Sequence, residues 1–118
     1  SLASRTALAG FDPVLRRAMD LELCALAYAP RERLCDPDVS PLRAAYSAAF
    51  PPTLIQCGSR EILLRDAVGL HFRLARAGAR PILDLVPGMV HSFPAVLPDL
   101  PESRAARRRM ASFFSRLV

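Results

Sequence analysis

The chain has 118 residues, of which 52% are hydrophobic and 23% are charged. This composition is typical of one globular domain and excludes a disordered protein. The apolar runs are far shorter than the ~20 residues that a membrane-spanning helix needs. No charged start followed by an apolar stretch marks a secretory signal. We therefore expect a cytoplasmic protein without a membrane span.

The net charge of +5 raises the question of an anionic partner. All 16 basic residues are arginine, and the chain contains neither lysine nor asparagine. Arginine, alanine, glycine and proline have GC-rich codons, so a GC-rich gene explains the arginine excess without such a partner. The arginines are also scattered, except at residues 107–109. We expect no nucleic-acid partner.

The three cysteines, Cys24, Cys35 and Cys57, have spacings that match no zinc motif. Only two histidines accompany them. We therefore expect no metal site and no organic cofactor. Free thiols in a reducing compartment are the default interpretation of these cysteines.

The first half of the chain predicts one helix and a long connection. Residues 1–10 carry no periodic signal, whereas Asp12 and Pro13 are typical of a helix start and Pro30 of its end. Residues 31–52 are punctuated by prolines, with a short helical turn expected around residues 42–48. The helix should bury a stripe of apolar residues at helical spacing: Val14, Ala18, Leu21, Ala25 and Tyr28.

The second half alternates strands and helices. The segment TLIQC, residues 53–57, is apolar at nearly consecutive positions, which is typical of a parallel strand covered on both faces. A helix over residues 63–77 with a stop at Gly78, a strand within residues 80–88 and a helix over residues 101–117 follow. Two strands joined by a helix are almost always parallel, so their carboxyl ends should meet at one edge, where open α/β sheets bind ligands.

An acid and a histidine follow these two strands. Glu61 lies four residues after Cys57, and His91 lies five residues after Val86. Neighbouring strands lie ~4.8 Å apart, so the carboxylate can hold the imidazole through Nδ1 and leave Nε2 as a general base. From position alone, a solvated acid at a helix start is the favoured interpretation of Glu61, and His91 can equally be an ordinary loop histidine.

Three segments carry a resemblance to a known family: DPDVSPL, PPTLIQCGSREILLRDA and VPGMVHSF. Together they resemble the C-terminal part of the hormone-sensitive-lipase-like branch of the α/β-hydrolases, which includes bacterial esterases. The resemblance implies that His91 is the catalytic base and Glu61 its acid. Asp66 matches a second acid of the family at the start of the helix and is the alternative partner of His91.

The resemblance also implies a fold and an activity. We expect residues 1–118 to form a single segment, the C-terminal part of a doubly wound, mostly parallel α/β sheet, with its last two strands and their flanking helices. The implied activity is hydrolysis of small carboxylic esters with short or medium acyl chains.

The nucleophile of such an enzyme is not among these residues. The sequence contains no G-x-S-x-G elbow and no His-Gly-Gly oxyanion segment, and neither Ser59 nor Ser92 stands in such an elbow. An upstream hydrolase segment would supply the serine, so we expect this chain alone to be inactive. The alternative is a non-catalytic truncated hydrolase segment, or a small basic module that uses the RAARRRMASFFSRL helix on an acidic partner or membrane surface.

Overall fold

The computed structural model describes residues 12–15 and 18–117. Two short 3-10 helices, Arg31–Arg33 and Pro41–Arg43, lie between the first helix and the first strand. The predicted order of helix, strand, helix, strand and helix is confirmed, with one additional short helix, Phe93–Val96. The elements are α1 (Ala18–Tyr28), β1 (Thr53–Gly58), α2 (Leu64–Arg76), β2 (Pro81–Val86), α3 (Phe93–Val96) and α4 (Pro101–Ser115). No helix within the described ranges has the length and apolar character to cross a membrane.

The two strands form a parallel pair, as the sequence predicts. Thr53 lies opposite Pro81 at one end and Gly58 lies opposite Val86 at the other. The helix α2 connects the strands and packs against both, while α4 packs against β1. The strands therefore end level with each other, and the segments after Gly58 and Val86 leave the same edge of the sheet.

Glycines end α2 and β2 where the backbone reverses. Gly78 follows α2 with φ of +82°, and Gly88 follows β2 with φ of +75°. Residues other than glycine rarely adopt these left-handed backbone angles. The stop predicted at Gly78 is present, and β2 ends just before Gly88, at Val86.

A small core lies directly under the segment that follows β2. It consists of Val86, Val90, Phe93 and Ala106, with Met89 packed against it. The buried Ser103 hydroxyl donates a hydrogen bond of 3.1 Å to the carbonyl oxygen of Phe93. These contacts anchor both ends of the loop that carries His91, because Val90 and Phe93 flank that residue.

A polar network ties both strands to α4. Gln56 Nε2 donates to Asp84 Oδ2 and to the carbonyl oxygen of Ala106, each at 2.8 Å. Arg109 Nε donates to the same Asp84 oxygen at 2.8 Å. The one amide in the apolar run of β1 thus bridges β1, β2 and α4.

The predicted buried stripe of the first helix is present only in part, because Leu21 and Ala25 are half-buried whereas Val14, which lies before α1, and Tyr28 are exposed. Val14 is 42% exposed and Tyr28 is 76% exposed, while the side chain of Ala18 and residues 1–11 lie outside the described residues. A periodic apolar stripe is buried only where another element covers it. No other described element packs extensively on α1.

The apolar stripe of α4 is buried only in part. Ala106 and Phe113 are buried, but Met110, Phe114 and Leu117 are exposed. Met110 and Phe114 line an open groove between α4 and β1 that also includes Leu54.

Candidate active site

Glu61 lies in the short turn between β1 and α2, three residues beyond the end of the strand. Its side chain is only 8% exposed. One carboxylate oxygen, Oε2, accepts a hydrogen bond of 2.9 Å from the backbone N–H of Gly58. A solvated acid at a helix start would be exposed, whereas Glu61 is buried and its carboxylate is held by the strand end.

His91 lies in the turn between β2 and α3, and its side chain is 30% exposed. Its Nδ1 lies 3.4 Å from the second oxygen of Glu61, Oε1. This distance is slightly longer than the ~3.2 Å limit of a well-formed N–H···O hydrogen bond. Catalytic contacts are often longer before substrate binds. The structure thus brings together the acid and the histidine that the sequence singles out.

Main-chain hydrogen bonds join the two turns that carry this pair. Ser59 N donates to the Val86 carbonyl oxygen at 3.0 Å, and Arg60 N donates to the Met89 carbonyl oxygen at 2.9 Å. In return, Gly88 N donates to Ser59 Oγ at 2.8 Å. The separation of Glu61 and His91 is therefore set by two turns that are hydrogen-bonded to each other. The sequence excludes Ser59 as a nucleophile but gives no sign of this tie.

The residue that follows His91 has an unusual backbone conformation. Ser92 has φ of +51°, the one positive φ of a non-glycine residue among those described. Such backbone angles in non-glycine residues occur where the surrounding structure imposes them. Here the core residues Val90 and Phe93 fix the chain on both sides of His91 and Ser92.

Asp12 is a buried carboxylate near the same turn. It is 1% exposed, and its Oδ1 accepts hydrogen bonds from Val14 N at 3.0 Å and Leu15 N at 3.2 Å. Its Oδ2 accepts a bond of 3.1 Å from the backbone N–H of Ile62, the residue after Glu61. The sequence predicts a cap at Asp12, but the bond to Ile62 spans 50 residues and has no sequence signal.

Asp66, the alternative acid, lies in the first turn of α2, where the sequence expects it. It is five residues beyond Glu61, and negative charge is favourable at that end of a helix. The described part of the chain contains no group of three or more His, Cys, Asp or Glu side chains that could hold a metal ion.

Cys57 lies at the end of β1 and is 2% exposed. Burial raises the pKa of its thiol to about 11, and the negative charges of Glu61 and Asp84 add to the shift. The thiolate, not the thiol, is the nucleophile. Cys57 therefore stays protonated at neutral pH and has a packing role.

Parallel strands with a buried acid and a histidine at their carboxyl edge define an α/β hydrolase-like arrangement, and comparison with known proteins agrees. The model of the alpha/beta hydrolase fold family matches residues 3–95. An esterase of Acinetobacter venetianus is 35% identical over 82 residues, which cover 70% of this chain and 27% of that protein.

Solved structures agree with the family match. The crystal structure of an esterase called E25 has a TM-score of 0.84 at 32% identity, covering 94% of this chain and 34% of that one. The crystal structure of a hormone-sensitive lipase from a metagenome library has a TM-score of 0.83 at 26% identity, covering 98% of this chain and 39% of that one.

The chain belongs to the α/β-hydrolase fold family, in its hormone-sensitive-lipase-like branch of esterases. The predicted family and α/β fold class are thereby confirmed. The chain spans about a quarter of the length of the Acinetobacter relative, 27%.

Proposed function

We propose that this chain supplies the histidine and the acid of a Ser-His-Glu triad in a carboxylic ester hydrolase. The observation that carries the proposal is the 3.4 Å approach of Glu61 Oε1 to His91 Nδ1. The second oxygen of Glu61 is already bonded to Gly58 N, so the carboxylate is fixed in direction. In this proposal residues 1–118 are the C-terminal part of a hydrolase domain.

The roles follow from the chemistry of the pair. A serine from an upstream hydrolase segment attacks the ester carbonyl while His91 Nε2 takes the serine proton. Glu61 keeps the proton of His91 on Nδ1 and stabilises the imidazolium that forms. His91 then protonates the departing alcohol, and a water molecule activated in the same way hydrolyses the acyl-enzyme.

Substrate class and compartment are part of the proposal. Relatives named esterase and hormone-sensitive lipase support a small carboxylic ester with a short or medium acyl chain as substrate. The triad chemistry needs neither a metal nor an organic cofactor. Three free cysteines, two of them exposed, suit a reducing compartment such as the cytoplasm, and cell fractionation with an antibody would test that location.

The test compares two acids in the full-length enzyme that carries this chain together with its nucleophile segment. We expect Glu61→Gln to lower kcat on p-nitrophenyl butyrate by up to ~10⁴-fold, the loss seen when the orienting acid of a serine protease is removed. Asp66→Asn is the matched control and should cost far less. A full loss with Asp66→Asn and none with Glu61→Gln would assign the acid to Asp66 instead.

The basic binding module has less support. Arg107 donates two bonds of 2.7 Å to the carbonyl oxygens of Pro94 and Pro98. Arg109 is paired with Asp84 at 2.8 Å. Two of the three consecutive arginines of α4 thus bind other parts of the chain, which leaves less basic surface for an acidic partner.

A further inference from the structure

The buried carboxylate of Asp12 makes one bond that helix capping does not explain. Its bonds to Val14 N and Leu15 N are local ones, to backbone N–H groups two and three residues on, as in an Asx turn. The third bond, from Ile62 N to Asp12 Oδ2 at 3.1 Å, crosses to the turn that carries Glu61. A side chain that is 1% exposed thus joins the N-terminal segment to the candidate active site.

The bond acts on the peptide unit that follows Glu61. The Gly58 N–H holds the Glu61 side chain through Oε2, while Asp12 holds the N–H of the next residue, Ile62, whose side chain is 1% exposed in the core. The triad acid is therefore fixed at its carboxylate by the strand and at its backbone by Asp12. Loss of either contact would let Glu61 Oε1 move relative to His91.

We propose that Asp12 is a positioning residue for Glu61, an inference that rests on the proposed triad. Asp12 acts through the Glu61–Ile62 peptide and keeps the carboxylate within reach of His91 Nδ1. A misplacement of ~1 Å in an active site can cost ~10²-fold in rate. Removal of the Asp12 acceptor should therefore lower kcat by roughly 10- to 100-fold.

The decisive variants differ in which hydrogen bonds they keep. Asp12→Asn retains one oxygen, so it keeps either the cap or the bond to Ile62, whereas Asp12→Glu retains both oxygens and should restore part of the rate. Asp36→Asn is the matched control, because Asp36 Oδ1 also accepts a backbone bond, from Asp38 N at 3.0 Å, at an exposed site. If Asp12→Asn does not fold, Asp12→Ser replaces it, since a serine hydroxyl can accept the local bond from Val14 N with its single oxygen.

The readouts separate positioning from general stability. In the full-length enzyme we expect Asp12→Asn to lower kcat with KM changed less than threefold, and Asp36→Asn to change neither. The His91 Nδ1–H resonance, followed by NMR with 15N-labelled histidine, should shift in Asp12→Asn towards its position in Glu61→Gln. Circular dichroism gives the folded fraction by which each kcat is corrected.

Two results would overturn the inference, and they are distinguishable. If Glu61→Gln and His91→Ala abolish activity but Asp12→Ala, which keeps neither acceptor oxygen, behaves like Asp36→Asn, then Asp12 does not position the acid and the triad stands. If Glu61→Gln leaves kcat unchanged, then the proposed function fails and the inference fails with it.

Discussion

Gly58 and Met89 approach each other so closely that a β-carbon at residue 58 would overlap the Met89 carbonyl oxygen. The same oxygen accepts the hydrogen bond of 2.9 Å from Arg60 N. The loop after β2 therefore lies directly across the end of β1. This crossing brings His91 to Glu61, and only glycine leaves room for it.

The first prediction is that Gly58→Ala destabilises the protein and displaces the His91 loop. The overlap is with backbone, which moves less readily than a side chain, so we expect a loss of ~1–3 kcal/mol in the free energy of unfolding. Activity of the full-length enzyme should fall with it. Urea denaturation and kcat on p-nitrophenyl butyrate are the measurements.

Gly69→Ala is the control for that variant. Gly69 lies within α2, and a β-carbon there would meet only Leu42 Cδ2 at 3.6 Å, an ordinary contact. Alanine in a helix interior is favoured over glycine by ~0.5–1 kcal/mol, so this variant should be as stable as the parent or more so. Equal stability of the Gly58 and Gly69 variants would contradict the crossing as a constraint.

The second prediction concerns thiol reactivity. At pH 8 the folded chain should react with Ellman's reagent at Cys24 and Cys35, which are exposed, and not at Cys57. A pKa of about 11 keeps the Cys57 thiol protonated below that pH, and burial excludes the reagent. The Cys57 thiol should react with the reagent only when urea unfolds the protein. Rapid native labelling of Cys57, located by mass spectrometry, would contradict this.

The third prediction is that the 118-residue chain self-associates when it is made alone. Within the described ranges the sheet has only β1 and β2, so the far edge of β1 has no strand partner. An unpaired, largely apolar edge is a template for pairing between chains. Size-exclusion chromatography and hydrogen exchange test it. A monodisperse monomer with slow exchange over residues 53–57 would show that the edge is closed.

The fourth prediction is that the groove between α4 and β1 contributes to self-association in addition to the unpaired strand edge. Phe114 is 58% exposed and lines the groove, whereas Phe72 on α2 is 60% exposed and does not. Phe114→Lys should reduce self-association of the isolated chain more than Phe72→Lys, because it places a charge in an apolar contact surface. Sedimentation velocity at matched concentrations compares the two, and equal effects would exclude the groove as a contact.

The fifth prediction is that the isolated chain does not hydrolyse esters. Its sequence contains no serine elbow and no oxyanion segment, and a single oxyanion donor is typically responsible for ~10²–10³ in kcat. Turnover of p-nitrophenyl acetate should not exceed that of free imidazole. Turnover well above that level, lost in His91→Ala, would show that the nucleophile lies within these residues.

The parts of the fold that follow from local pattern were predictable. The apolar run of β1 and the glycine after α2 carry their own signals, and the parallel pairing follows from the helix between the strands. The proximity of Glu61 and His91 could be inferred because both residues follow parallel neighbouring strands. The distance between Glu61 and His91 depends on the hydrogen bond from Arg60 N to the Met89 carbonyl oxygen. No residue type in the sequence indicates that bond.

The remaining features depend on contacts between distant parts of the chain. Tyr28 follows the helical period and is nevertheless exposed, because burial needs a neighbour that the period does not specify. Asp12 has the sequence signature of a cap, and its bond to Ile62 is visible only once residues 50 apart in sequence are placed side by side.

The ties between the two turns also bear on how this site tolerates mutation. Arg60 and Met89 meet through an amide and a carbonyl that every residue except proline at position 60 would provide. The exposed side chain of Arg60 can therefore vary during evolution, or be randomised in a library, while the acid–histidine geometry is retained. A designer who transplants the pair into another parallel βαβ unit needs to copy the strand register, the glycine at the crossing and the apolar side chain that Met89 packs against the core, and can change the side chain at position 60 to tune the rim of the site.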